Sequence, residues 1–162
     1  MTYIFSNQAY SISEPSLGLH LQESIDGIRE ERLLYESGAI RSVCFFKENH
    51  LHGPSRFYSV QGTLLSETWF WMGQRQGICR FFYPSGALYA TLFYRDNRKT
   101  GRHEYFYENG QMKTIEEYES GALSGEIVLY WPSGQLKRRC QFVNGKRKEA
   151  DQSWSEDGTP LV

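Results

Sequence analysis

Glycine recurs in this chain every 24 residues, and nothing else in the sequence restricts its fold as much. The glycines that end the strings Tyr-Glu-Ser-Gly38, Ser-Val-Gln-Gly62, Tyr-Pro-Ser-Gly86, Tyr-Glu-Asn-Gly110, Trp-Pro-Ser-Gly134 and Ser-Glu-Asp-Gly158 are each 24 residues apart. A second column, Gly53, Gly77, Gly101 and Gly125, keeps that spacing until Glu149 breaks it. A third column reads Asn49, Gly73, Asn97, Gly121 and Gly145. Self-similarity at a fixed period of this size is the mark of a repeat architecture.

Asn and Gly are the residues that best tolerate positive φ, so a column holding only these two marks a left-handed turn position. The triplets Pro84-Ser85-Gly86, Glu108-Asn109-Gly110 and Pro132-Ser133-Gly134 fit a type I turn closed by a glycine bulge, a three-residue hairpin connection. The second loop of each unit, as in Asp96-Asn97-Arg98-Lys99-Thr100-Gly101, is longer and polar. One period is then two strands and two turns. The chain is expected to be all-β, an antiparallel meander of about eleven strands, ~50 Å long at ~4.8 Å per strand. Full units run 30–53, 54–77, 78–101, 102–125 and 126–149. Residues 1–29 form an atypical N-terminal cap, in which Gln22 to Glu36 also reads as a short helix. Residues 150–162 form a partial C-terminal capping repeat, where Pro160 blocks further strand addition.

The hairpin rule sets the residue four before each turn glycine opposite the residue two after it. This pairs Leu34, Tyr58, Phe82, Phe106, Tyr130 and Trp154 with Ile40, Leu64, Leu88, Met112, Leu136 and Pro160. Counting onward with period 2 puts Phe46, Phe70, Tyr94, Tyr118 and Phe142 on the same, core face. The opposite face is aromatic in the middle units and polar in the flanking ones, as at Arg41, Lys113, Glu117, Lys137, Arg139 and Gln141. Two readings stand for its aromatics. Either residues 1–30, with Tyr3, Ile4, Phe5, Leu17, Leu19 and Leu21, fold back over them, or they form an interaction surface.

The strings Phe81-Phe82-Tyr83-Pro84-Ser85-Gly86-Ala87-Leu88 and Tyr105-Phe106-Tyr107-Glu108-Asn109-Gly110-Gln111-Met112-Lys113 resemble MORN repeats, above all the bacterial variant Tyr-x-Asn-Gly-x-Leu-Lys. The resemblance covers about residues 31–158. It implies an elongated, twisted sheet that acts as a scaffold, oligomerises or contacts phospholipid, and it implies a grouping with an antitoxin component of toxin–antitoxin systems. It brings no catalytic residues. Repeat two departs from the pattern, since Ser59-Val60-Gln61-Gly62 lacks the Tyr and the Asn.

Charge and motifs narrow the function. With 18 Lys and Arg against 19 Asp and Glu, the chain has no net positive field to drive counterion release, which argues against nucleic acid. No phosphate-loop, nucleophile-elbow or zinc-protease motif occurs, so a non-enzymatic protein-binding or scaffold module is expected. His50-Leu51-His52 lacks a third ligand, and no metal or cofactor is expected. Cys44, Cys79 and Cys140 are scattered and odd in number, which points to free thiols in a reducing compartment. The first residues lack a basic n-region and a long apolar run, so a cytoplasmic location is expected, with signal-less secretion left open.

Two candidate surfaces follow. Trp69, Trp71, Phe81, Tyr83, Tyr89 and Phe93 are the expected partner-binding residues, because Trp and Tyr dominate interface hot spots. Lys137, Arg138, Arg139, Lys146, Arg147 and Lys148 form a basic run that either pairs with the acidic unit before it or meets an anionic membrane surface. Self-association through the sheet ends is a further expected contact.

Overall fold

The computed structural model describes residues 3–6, 12–14, 19–21, 27–148 and 150–161. Strands β1 (Tyr3–Ser6), β2 (Ile12–Glu14), β3 (Leu19–Leu21) and β4 (Ile28–Leu34) lead into the repeats. The central units supply β5 (Ile40–Lys47), β6 (His50–Tyr58), β7 (Leu64–Trp71), β8 (Gln74–Phe82) and β9 (Leu88–Arg95). Next come β10 (Arg98–Lys99), β11 (Gly101–Phe106), β12 (Met112–Glu119), β13 (Ala122–Leu123) and β14 (Gly125–Tyr130). The chain closes with β15 (Leu136–Val143), β16 (Lys146–Arg147), β17 (Gln152–Trp154) and β18 (Pro160–Leu161).

Sixteen of these strands form one antiparallel sheet in which nearly every strand lies beside its sequence neighbour. The strand count exceeds the expected eleven because β1, β2 and β3 precede the repeats and because the strand leading into each later hairpin turn is interrupted, giving the short β10, β13 and β16. At the N-terminal edge β4 is a strand throughout, not a helix. Pairing with β5 on one side and β1 on the other outweighs the helical reading, whose residues 22–26 lie outside the description. β1 extends the sheet in its own plane, from Tyr3↔Leu33 to Ser6↔Glu30. The expected cover by Tyr3, Ile4, Phe5, Leu17, Leu19 and Leu21 concerns side chains outside the described ones.

The turn geometry is the expected one. Asn49, Gly73, Asn97, Gly121 and Gly145 have φ between 64° and 90°, and Gly86, Gly110 and Gly134 between 84° and 88°. At Gly86 the amide donates to Tyr83 O at 2.8 Å while Tyr83 N donates to Ala87 O at 2.8 Å, which closes the glycine-bulge hairpin.

The faces differ from expectation, and the reason is a second bulge. Phe82 opposes Leu88 as expected, but Phe81 opposes Ala90, so Tyr89 is a spare residue. The same shift recurs in the other full hairpins and leaves Arg41, Leu65, Lys113 and Lys137 spare. One extra residue moves every later side chain to the other face. Tyr94 therefore shares a face with Phe81, Ala90, Leu92 and Cys79, not with Phe82 and Leu88. The three columns assigned to one core face divide between two.

Register connects whole rows across the sheet. One row runs Leu33, Ser42, Phe57, Ser66, Phe81, Ala90, Tyr105, Thr114, Leu129 and Arg138, each opposite the next. Beside it on the same face lie Cys44, Ser55, Thr68, Cys79, Leu92, His103 and Cys140; this is the spine face. The spine consists largely of small residues flanked by rings, and the rings cover it. Cys79 is 1% exposed, and Ala90 and His103 are fully buried. The three thiols are unpaired, Cys79 and Cys140 buried and Cys44 half-buried.

Candidate functional site

On the spine face, near the hairpin turns, the aromatic residue three before each turn glycine has two tasks. Its polar tip donates to a backbone carbonyl of the following unit, always 23 residues ahead. Tyr35 Oη reaches Tyr58 O at 2.7 Å, Tyr83 Oη reaches Phe106 O at 2.9 Å and Tyr107 Oη reaches Tyr130 O at 2.9 Å. Trp131 Nε1 reaches Trp154 O at 3.1 Å. Its ring meets the spare residue of its own hairpin. Tyr83 packs edge-on against Tyr89 at 5.3 Å, Lys113 Nζ lies 5.5 Å from the Tyr107 ring centre, and Lys137 Nζ lies 4.0 Å from that of Trp131.

Three units, residues 75–96, 99–120 and 123–144, match the family model of the MORN repeat variant. These three units are therefore similar to MORN repeats. The Tyr and the Lys of the MORN variant pattern are thus a hydrogen-bonded clasp and the cation stacked on it. No curated protein matches the chain by sequence. Among solved structures, a crystal structure of TarM is 15% identical over 67% of this chain and 21% of that chain, with a TM-score of 0.39. The chain therefore spans about a fifth of the TarM chain.

The six aromatic residues expected to form one partner-binding surface lie on two. Trp69 is 8% exposed and clusters with Phe45 and Ile78 on the reverse face, where Phe93 packs beside it opposite Ile78. Trp71 is on that face too, its ring centre 4.4 Å from that of His52. Phe81, Tyr83 and Tyr89 lie on the spine face, where Tyr89 also meets Tyr105 at 6.1 Å. The spare residue Leu65 moves Trp69 and Trp71 to the reverse face, and the spare residue Tyr89 does the same to Phe93. Phe57, in the row of Phe81, is 45% exposed. Phe57 and Tyr105 are not among the residues the sequence singled out for binding.

The basic run is not one patch either. Arg138 is ion-paired with Asp151, which Arg147 also reaches at 3.3 Å, and Arg139 pairs with Glu126 at 3.0 Å. Lys137 stacks on Trp131. Lys146, in β16, and Lys148 just after it are exposed. On the reverse face a ladder of charge crosses the centre, with Glu67 accepting from Arg56 at 2.6 Å and Arg80 at 3.1 Å. Such part-exposed pairs are each worth at most ~1 kcal/mol.

One buried polar cluster lies on the spine face at β11 and β12. His103 Nε2 sits 2.9 Å from Phe93 O, and its ring lies between those of Tyr118 at 4.6 Å and Tyr94 at 5.9 Å. Its Nδ1 has no hydrogen-bond partner. Burial lowers the His103 pKa from its ordinary value; the hydrogen bond to the Phe93 backbone opposes it, the nearby Lys99 cation adds a smaller lowering, and Glu116 and the Thr100 backbone oppose still more weakly. Glu116 accepts from Tyr105 Oη at 3.3 Å and Tyr118 Oη at 3.1 Å. Burial and then the Glu116 carboxylate push both phenols up. These groups tie strands together.

Two clefts flank the face. One, of about 610 Å³, lies at the turns of the first two units and is lined by Leu34, Tyr35, Arg41 and Val60 among others. The other, of about 540 Å³, is polar and lies among the long loops beside Arg95, Asp96, Arg98 and Lys99. Among the described residues no group of three or more His, Cys, Asp or Glu is placed to hold a metal ion.

Proposed function

We propose that this chain is a non-enzymatic protein-binding module that meets its partner through the turn side of the spine face. The observation that carries this is the row Phe57, Phe81 and Tyr105, which crosses the sheet on one face with Phe57 45% exposed and the ring of Tyr89 beside it 37% exposed. A folded chain exposes a large ring at some energetic loss, since its burial would contribute ~1.5–3 kcal/mol. Rings that continue a row, rather than scatter, are the usual substrate of an interface centre. MORN repeats supply a rigid sheet suited to that use. The revised contact residues are therefore Phe57, Phe81, Tyr83, Tyr89 and Tyr105, while Trp69 and Phe93 belong to packing on the reverse face.

The test is site-specific photo-crosslinking in the native cell. A photoreactive side chain at Phe57 is expected to give a discrete protein adduct, and one at Arg139 on the reverse face is not. Absence of any discrete adduct from Phe57, or equal adducts from both positions, removes the proposal.

A further inference from the structure

Four of the five full units hold an aromatic clasp before their turn, and repeat two holds none. Tyr35, Tyr83, Tyr107 and Trp131 stand three residues before their turn glycines, and Ser59 stands at the same place before Gly62. In each of the four, the polar tip of the ring donates to the carbonyl 23 residues ahead, at 2.7 to 3.1 Å. Ser155, in the terminal partial repeat, has no unit ahead of it. The corresponding acceptor for repeat two is Phe82 O. Among the described residues no side chain donates to it, and the Ser59 hydroxyl accepts from Thr63 N inside its own turn.

The exposure of the neighbouring side chains reports the same vacancy independently. Phe57 is 45% exposed, whereas Phe81 and Tyr105, in the same row, are half-buried. Each of the three sits between small residues of the adjacent strands, as Phe57 does between Ser42 and Ser66. What differs is the residue two further on, a ring at Tyr83 and Tyr107 but a hydroxymethyl group at Ser59. Val60, next to Ser59, is 46% exposed. The units cannot move together to close the gap, because continuous pairing from β6 to β9 holds successive strands ~4.8 Å apart. In the other units the clasp ring meets the spare residue of its own hairpin, and here that residue is the half-buried Leu65. Repeat two is thus open where its neighbours carry a ring, with apolar walls and a carbonyl acceptor in place.

We infer that the vacant clasp position of repeat two receives the side chain of a tyrosine from a protein partner, with its ring against Phe57 and Leu65 and its hydroxyl donated to Phe82 O. This rests on the protein-binding reading above and names the group by which the partner is anchored. The four filled positions define the chemistry, and three of them hold tyrosine: a flat apolar body with one donor at its tip. An aliphatic side chain would leave Phe82 O without that bond, and a charged one would lose its hydration against Phe57 and Leu65. Tyrosine is also enriched among interface hot spots, because its ring supplies area and its hydroxyl supplies direction.

The probe is N-acetyl-tyrosinamide, titrated into the full chain beside N-acetyl-phenylalaninamide and followed by the NMR shifts of the Phe57 and Leu65 amides. Saturable shifts are expected with the tyrosine probe, with a dissociation constant on the order of 1 mM, as suits a ligand of so few atoms. The phenylalanine probe should bind about threefold or more weakly, since it cannot donate to Phe82 O. Ser59→Tyr fills the position from within and is expected to abolish the shifts in a chain that circular dichroism shows to be folded. Ser59→Ala leaves the position open and should keep them. No saturation, equal affinity for the two probes, or equal shifts in the unaltered chain and Ser59→Tyr would each overturn the inference. In the cell, the adduct from a photoreactive side chain at Phe57 is expected to disappear in the Ser59→Tyr background. An adduct that persists there removes the tyrosine anchor and leaves the binding reading standing. Absence of the adduct in both backgrounds removes the binding reading, and this inference with it.

Discussion

His103 is a polar side chain in an environment that disfavours its charged form. A fully buried imidazole with one nitrogen unpartnered and a lysine nearby is held neutral, and its pKa falls below the ordinary ~6.5. The sign of the consequence follows from proton counting. The unfolded chain takes up a proton as pH falls through ~6.5, while the folded chain does not until a lower pH. Stability is therefore complete above that value and declines on acidification, by at most ~1.4 kcal/mol per pH unit for one proton. The melting temperature is expected to fall between about pH 7 and pH 5, and less so in His103→Gln, whose side chain carries no titrating group. Equal slopes in the two proteins would show that another group governs the acid limb. Nothing in the sequence set His103 apart from His20, His50 and His52. Its burial depends on being opposite Glu116 and between Tyr94 and Tyr118, which only the register defines.

At the level of the hairpin, one unit lacks the clasp that its neighbours have. Tyr35, Tyr83, Tyr107 and Trp131 each bind the carbonyl 23 residues ahead, and Ser59 cannot reach so far. Its hydroxyl instead accepts from Thr63 N at 3.2 Å, inside its own turn. Ser59→Tyr is expected to restore the bond to Phe82 O and raise stability by ~1 kcal/mol, read as a shift of the denaturant midpoint at constant slope. A neutral or destabilising result would mean that the clasp aromatics contribute no net stability. The turns themselves were legible from sequence, because positive φ leaves an Asn or Gly signature at positions such as Asn49 and Asn97. The spare residue leaves no such mark, since Arg41, Lys113 and Lys137 are basic but Leu65 and Tyr89 are not, and none of these residue types signals a bulge. That is why the face of Tyr94 was misassigned, and why Trp69 and Tyr83 seemed to belong together. The clasp was hidden for a related reason: its acceptor is a backbone carbonyl, which no side chain marks.

Across the whole array, stability should vary with position, because each unit touches only its neighbours. Cys79 and Cys140 report on this directly, since both are buried, unpaired thiols on one face. Cys79 lies in β8, which pairs β7 and β9 along nearly its whole length. Cys140 lies in β15, whose outer neighbour β17 pairs it only at Arg138↔Ser153 and Arg139↔Gln152. Burial alone raises the Cys79 pKa, with Thr68, the Trp69 backbone and Arg75 opposing it, so this thiol is slow as well as covered. A thiol reagent should therefore modify Cys140 through local opening of the outer strands, well before Cys79, which awaits a more global opening. Sub-denaturing urea should widen the gap little for Cys140, whose opening exposes little surface, and accelerate Cys79 strongly. Mass spectrometry of partly labelled protein gives both rates in one experiment. Parallel urea dependence at the two sites would mean that the sheet opens as a single unit, with coupling between repeats strong enough to erase the difference between its centre and its edge.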